Sequence, residues 1–369
     1  MCATPDIAAP NTIGYFSPSQ AKERARNLRV LIDIVHPADV LFFKRPIEML
    51  AARGDEVKIL SRNKDIACEL LDAFGFEHHP ISSAKTGTIG LATELAMRNL
   101  AVLRAARSFR PDVMIGFGGV AISHIGRITG IPSISFYDSE NATLQTRLTW
   151  PFISRLFVPA GYSGSTPKGR TERLAGTKEL SFLHPSSFQA DPDVALASGL
   201  DPDRDNFFVR VVAWRANHDI GKAGWTPDTL RSVILYLSSF GKVHLSSELE
   251  VPDDLKPYLY KGPKGSVHHL LAHCRMLVGE SATMASEAAV LGVPAIYAGR
   301  DFPGYMYDLE AAGMVRNLAN VSEENLKSLI DEWLAVPKSE IKAARDIYVS
   351  TCPDWAEAVV AALDAETAR

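Results

Sequence analysis

Short apolar runs alternating with longer helical segments, twice over, constrain this chain most. Leu28-Arg29-Val30-Leu31-Ile32-Asp33-Ile34 has the branched apolar density of a buried strand. A helix is expected from Phe42 to Arg53, with Gly54 as its C-terminal stop. Val57 to Leu60 reads as a strand, Asp65 to Phe74 as a helix and Leu91 to Phe109 as a long amphipathic helix. Pro111 to Ile115 and Pro132 to Phe136 read as further strands. Strands separated by helices predict a parallel sheet covered on both faces. A second alternation begins at Phe207 to Val212 and continues with a helix over Thr229 to Phe240, a strand over Lys242 to Leu245 and a helix over Val267 to His273. Strands Met276 to Val278 and Ala295 to Tyr297 follow, and helices are expected over Glu323 to Ala335, Ser339 to Val349 and Pro353 to about Glu366.

The expected fold class is therefore α/β, with two doubly wound (Rossmann-like) domains facing a cleft. Residues 1–27 are expected to form a mobile tail, 28–165 the first domain and 166–205 a linker rich in Pro, Gly, Ser and Asp. The second domain is expected over 206–335, and the helices of 336–369 to cross back to the first. Ligands bind beyond the carboxyl ends of parallel strands, so the cleft between the domains is the expected site.

Composition excludes several classes. The chain has 369 residues, with a net charge of −4 and no long basic run, which argues against a nucleic-acid binder. No apolar run reaches the ~18 residues of a transmembrane helix. The first residues lack the apolar core of an export signal, so a cytoplasmic place is expected, compatible with peripheral membrane contact. Cys2, Cys68, Cys274 and Cys352 form no C-x-x-C pair, and no metal site is expected. His269 and His273 are spaced for a metal on a helix, but H-E-x-x-H is not formed and packing or surface roles are favoured. His78-His79 is expected in a loop.

The most informative stretch is VGESATMASEAAVLGVPAIY, Val278 to Tyr297. Gly279-Glu280-Ser281-Ala282-Thr283 lies where a strand hands over to a helix. The first helical N–H groups there are unpaired within the helix, its dipole favours an anion, and small residues let one approach. Ser281 or Thr283 adds a hydroxyl donor, and Glu287 further along accepts hydrogen bonds from vicinal hydroxyls. Diphosphate at the helix start and ribose at Glu287 describe a nucleoside diphosphate. The alternative is plainer: a capped helix with Glu287 on its solvated face.

Two strand-end loops carry further candidates. His36, in DIVHPADVLFFKRP, follows the first strand, and histidine suits a base near neutral pH. Asp39, Asp138 and Glu140 are rival bases. Arg215, in VRVVAWRANHD, is placed to pair bidentately with a diphosphate, or else is a surface arginine beside Trp214.

The segment Ser281 to Ile296 resembles the nucleotide-binding segment of GT-B glycosyltransferases and of the related UDP-N-acetylglucosamine 2-epimerases. HPA-x-x-x-FFK, FYDxE and TMAxEAAxLG are similar to an uncharacterised GT-B-like family of archaea and bacteria. The resemblance runs from Leu28 to about Leu318 and implies GT-B architecture, with the acceptor side in the first domain. It implies that Ser281, Ala282, Thr283 and Met284 lie by a diphosphate and that Glu287 binds ribose. Gly118 and Gly119 resemble the Gly-rich acceptor-side loop, and Glu140 and Asn141 the polar turn after the next strand. Tyr305 and Asp308 lie in a segment resembling the helix that meets the donor sugar. The glutamines expected before that helix are replaced by Phe302-Pro303-Gly304.

The resulting expectation is an enzyme that uses a nucleotide diphosphate sugar as substrate, requires no cofactor or metal, and transfers the sugar to a hydroxyl acceptor in glycan or glycolipid synthesis. Helix N–H groups plus an arginine would stabilise the leaving diphosphate. Epimerisation of the sugar and binding without turnover are the alternatives.

Overall fold

The computed structural model describes residues 27–64, 66–83, 87–213 and 224–368. The tail at 1–26 and the loop holding Arg215 lie outside them. The first sheet contains β1 (Arg29–Ile34), β2 (Glu56–Asn63), β3 (His78–Ser83), β4 (Val113–Phe117), β5 (Ser133–Phe136), β6 (Arg155–Pro159) and β7 (Thr171–Leu174). All neighbours are parallel, in the order β3-β2-β1-β4-β5-β6-β7. The second sheet contains β8 (Asp205–Val211), β9 (Gly241–Ser247), β10 (Met276–Gly279), β11 (Ala295–Tyr297) and β12 (Val315–Asn317), again parallel, in the order β12-β11-β10-β8-β9.

The alternation within β1 explains why helices cover both faces. Val30, Ile32 and Ile34 pack with Phe42, Phe43 and Leu50 of the helix Pro37–Ala52, and with Trp355, Val359 and Leu363. Leu31 points the other way, into a cluster with Val102, Met114, Ile122 and Ile125. The helix Trp355–Thr367 thus lies on the first domain although it ends the chain. Trp355 Nε1 donates to Ala175 O at 2.9 Å, and Asp364 and Glu366 pair with Arg53 and Arg155.

Several boundaries differ from the expectation. Residues 166–205, expected as linker, contain β7, hydrogen-bonded to β6, and a buried 3-10 turn at Lys178–Ser181. TERL has no apolar run, because an edge strand has one open side and needs none. His78 and His79 lie in edge strand β3, not in a loop. His78 Nδ1 is 2.7 Å from Ser61 Oγ. The first helix begins at Pro37, since Pro is pre-organised for a first helical position. The helix at Val267 ends at Leu271, so His269 and His273 are not one turn apart on it. His269 Nδ1 instead accepts from Asp191 N at 2.9 Å.

Each sheet has one point where strand order reverses. In the first it lies between β1 and β4, in the second between β8 and β10. Adjacent loops leave in opposite directions at such points and open a crevice at the carboxyl ends. His36 follows β1, Gly118-Gly119 follow β4, and Gly279 to Ser281 end β10.

Candidate functional site

The first switch point is built by a reciprocal cap. His36 stands before the helix Pro37–Ala52, and its Nδ1 accepts from Ala38 N at 3.2 Å. Asp39 accepts in return from Val35 N at 3.0 Å and His36 N at 2.9 Å. His36 is exposed at the crevice, and Asp39 beneath it is buried. Burial pushes the Asp39 carboxyl up to about 7, against the two backbone N–H groups that favour its charge. This folded value lies above the ordinary one, so the protonated acid's stabilising contribution is complete below about pH 4 and is lost as pH rises through about 7. Asp39→Asn keeps an acceptor oxygen and cannot ionise. Urea unfolding at pH 5 and pH 8.5 is expected to show the variant gaining on the parent at the higher pH, on the order of 2 kcal/mol. A difference that does not change with pH would count against a buried, titrating Asp39.

Gly118 and Gly119 turn the chain after β4 in the left-handed region, at φ 77° and 56°. That backbone conformation favours glycine at both positions, and a Cβ at Gly118 would also displace the end of the Gln145 side chain. Beside it lies a cluster that sequence reasoning missed at its centre. Lys178, from the presumed linker, pairs with the buried Asp138, which also accepts from Ser139 Oγ at 2.9 Å. Lys178 Nζ is 3.2 Å from Glu179 Oε1 and 3.5 Å from Thr283 Oγ1 of the second domain. It faces the rings of Phe117 and Tyr305 at 5.8 and 5.6 Å. Burial pulls the ammonium down, but Asp138 and Glu179 outweigh it and raise Lys178 well above its ordinary value. Burial raises the Glu179 carboxyl, against the neighbouring Lys178 ammonium that favours its charge. The available signal was a Lys-Glu pair set in the small and apolar surroundings AGTKELSFL, where two charges have no evident reason to sit.

Opposite this cluster stands the helix Ala282–Val290. Ser281 caps it, accepting from Met284 N at 3.2 Å. Ser281, Ala282, Thr283 and Met284 are partly exposed, whereas the rest of the helix is buried. A Cβ at Gly279 would lie 2.1 Å from Arg210 O, so the strand end must be glycine. Glu287 is not on a solvated face. Its side chain is 5% exposed, and Oε1 is 3.3 Å from His268 Nε2.

Three other candidates meet elsewhere, in a clasp between the domains. Glu140 Oε1 accepts from Ser163 N at 3.2 Å and from Gly304 N of the second domain at 2.9 Å. Asn141 donates to Asp301. Asp308 lies against Gly161, whose N–H favours its charge while burial raises its carboxyl. The backbones of Gly161 and Gly304 touch so closely that a Cβ on Gly304 would be 1.8 Å from Gly161 O. In this structure these residues join the two domains. Tyr305, next along, is buried against Lys178.

Arg215 lies outside the described residues. Among the described residues on either side of it, Glu280 accepts from Val212 N and Trp225 N at 3.4 and 2.8 Å. Among the described residues no group of three His, Cys, Asp or Glu could hold a metal, and no helix is long and apolar enough to cross a membrane.

Two parallel doubly wound sheets, facing each other across a cleft and returned upon by the last helix, are GT-B architecture. Residues 28–181 match the family described as a protein of unknown function, DUF354. An uncharacterized protein of Methanocaldococcus jannaschii is 20% identical over 288 residues, 73% of this chain and 81% of that protein. Among solved structures, a putative UDP-N-acetylglucosamine 2-epimerase from Listeria monocytogenes superposes with a TM-score of 0.65 at 13% identity, covering 92% of this chain and 97% of that one. The spinosyn forosaminyltransferase SpnP gives 0.64 at 13% identity, covering 93% and 100%. At these identities the likeness is one of fold.

Proposed function

We propose that this chain is an enzyme acting on a nucleotide diphosphate sugar, and that it transfers the sugar to a hydroxyl acceptor. One observation carries the reading. The start of the helix Ala282–Val290 is open at the second switch point and faces polar residues at the carboxyl ends of the first sheet. Helix N–H groups, Ser281 and Thr283 would hold the diphosphate. Glu287 would take ribose hydroxyls, exchanging its contact with His268 for them, and Arg215 would add a cation from the loop after β8.

In this reading His36 takes the acceptor's proton. Asp138 is committed to Lys178 and Glu140 to the clasp, so both are poorer bases than an exposed imidazole at the switch point. The cap bond leaves the neutral ring's proton on Nε2, so Nδ1 is the basic atom. It would exchange a 3.2 Å bond from Ala38 N, long for an N–H donor, for the acceptor hydroxyl. A cytoplasmic enzyme touching the membrane through a glycolipid acceptor fits the same reading.

Epimerisation is the second reading. It eliminates and re-adds the nucleotide and needs acids and bases around the sugar, and the buried carboxylates of Asp138 and Glu179 favour it. One experiment addresses both. UDP-, GDP-, CMP- and dTDP-sugars are screened by thermal shift, and hits are incubated with and without hydroxyl acceptors. A ribonucleotide donor is expected to raise Tm more than its 2′-deoxy analogue, and to yield glycoside only with acceptor. A changed sugar without acceptor assigns epimerase. No shift from any donor would sink both readings.

A further inference from the structure

We propose that Lys178 is the cation that neutralises the diphosphate in this cleft, held in place for that purpose by Asp138. The inference rests on the nucleotide-sugar reading and adds to it a residue that no motif assigns.

The argument begins with cost. An ammonium taken out of water loses several kcal/mol of hydration, and a single carboxylate seldom repays it. Lys178 is 8% exposed, yet it adds nothing to either apolar core. Its neighbours in the chain are anchored: Leu180 is fully buried in the first core, and Ser181 Oγ donates to Phe42 O. The ammonium is therefore delivered to a fixed point. That point lies between the first sheet's carboxyl ends and the helix that presents Thr283.

Charge then selects the ligand class. Lys178 and Asp138 cancel, and Glu179 is pushed toward its neutral form by burial. What remains positive is the helix end beside Thr283, equivalent to about half a charge. A diphosphate brings two or three negative charges, more than a helix end offsets alone. A short movement of Nζ away from Asp138, past Thr283 Oγ1 at 3.5 Å, brings the ammonium to the helix start while Asp138 stays within reach.

During transfer the acceptor oxygen bonds to the anomeric carbon and its proton goes to the base. The bond from that carbon to the phosphate oxygen breaks, and its electron pair stays on the diphosphate. Lys178 and the helix N–H groups stabilise that growing charge, as a metal would elsewhere. Asp138 is then a positioning residue: it fixes the ammonium and does not touch the reacting atoms.

The test is calorimetric titration of the full-length chain with UDP and GDP, and with uridine and guanosine. The variants are Lys178→Met, Lys178→Arg, Asp138→Asn and the double variant Lys178→Met/Asp138→Asn. The double variant removes both members of the Lys178–Asp138 pair, leaving only Glu179, whose carboxyl burial already favours in the neutral form, and guards against a folding failure of the single one. Lys178→Met and the double variant are expected to bind the diphosphates roughly 10–100-fold more weakly, the scale of a lost hydrogen bond to a charged group. Nucleoside affinity should stay within about twofold, and Lys178→Arg should recover part of the loss. Asp138→Asn should raise KM for the donor more than it lowers kcat. Unchanged diphosphate affinity in the folded double variant overturns the assignment of Lys178 alone. Equal losses for nucleoside and diphosphate overturn it too, since they reveal a damaged cleft. A parent protein that binds none of the diphosphates overturns the nucleotide reading itself.

Discussion

Thr283→Glu abolishes binding of UDP and GDP while the protein stays folded: this is the result expected from the anion site. Thr283 is partly exposed at the first turn of its helix, with its hydroxyl 3.5 Å from Lys178 Nζ. A carboxylate there takes the place of the ligand's own charge. It pairs with the ammonium, interacts favourably with the helix end and repels an incoming phosphate. Loss of at least about 100-fold in affinity is expected, because the ligand loses its cation and gains a like charge. Thr283→Val removes only the hydroxyl and should cost a few-fold. The Thr283→Glu variant should stay folded, since Thr283 is partly exposed and a carboxylate in the first turn of a helix is favourable to its dipole. Parental UDP and GDP affinity in a folded Thr283→Glu protein would remove the helix start from the site.

The second large effect is on turnover. His36→Asn is expected to lower the rate by roughly 10²–10⁴-fold, the range for loss of a general base. Donor affinity should hardly change. Asparagine is the informative replacement, because His36 caps the helix Pro37–Ala52 by accepting from Ala38 N and asparagine is a favoured cap. His36→Ala loses that cap as well, so its stability should fall by about 1 kcal/mol where that of His36→Asn does not. The pH–rate profile of His36→Asn should lack an ionisation on the acid side. Donor hydrolysis, with water as the acceptor, is the first assay. If His36→Asn retains full turnover while Asp138→Asn loses kcat, the proton goes to Asp138, and the ion pair with Lys178 is the reacting centre.

The central strands were legible in the chain. β1, β4, β8 and β10 are apolar runs because a strand covered by helices on both faces must be apolar on both faces. Edge strands are under no such demand. HHPISS, TERL and VRN form β3, β7 and β12 with polar residues along them, and the chain gave no sign of them. Strand β6, RLFVP, is apolar and lies one place in from an edge, yet it was hidden by the Pro- and Gly-rich residues that follow it.

The turn Gly279 to Thr283 could be placed at a strand–helix junction because its composition is a local requirement: glycine for close approach to Arg210 O, and a hydroxyl to cap the helix. Position relative to other segments is a different kind of fact. Glu140 and Asp308 read as candidate ligand groups, and only the meeting of the domains shows that they also contact Gly304 and Gly161 across the clasp. Glu287 read as either solvated or ribose-facing, and the packing of His268 against it put it inside. Lys178 sat in what looked like a linker. Local sequence sets helix, strand and turn through periodicity and caps, which act over a few residues. The partners of a charge are set by which strand ends the fold brings together, and Asp138, Lys178 and Thr283, spread over more than a hundred residues, meet only when both sheets have formed.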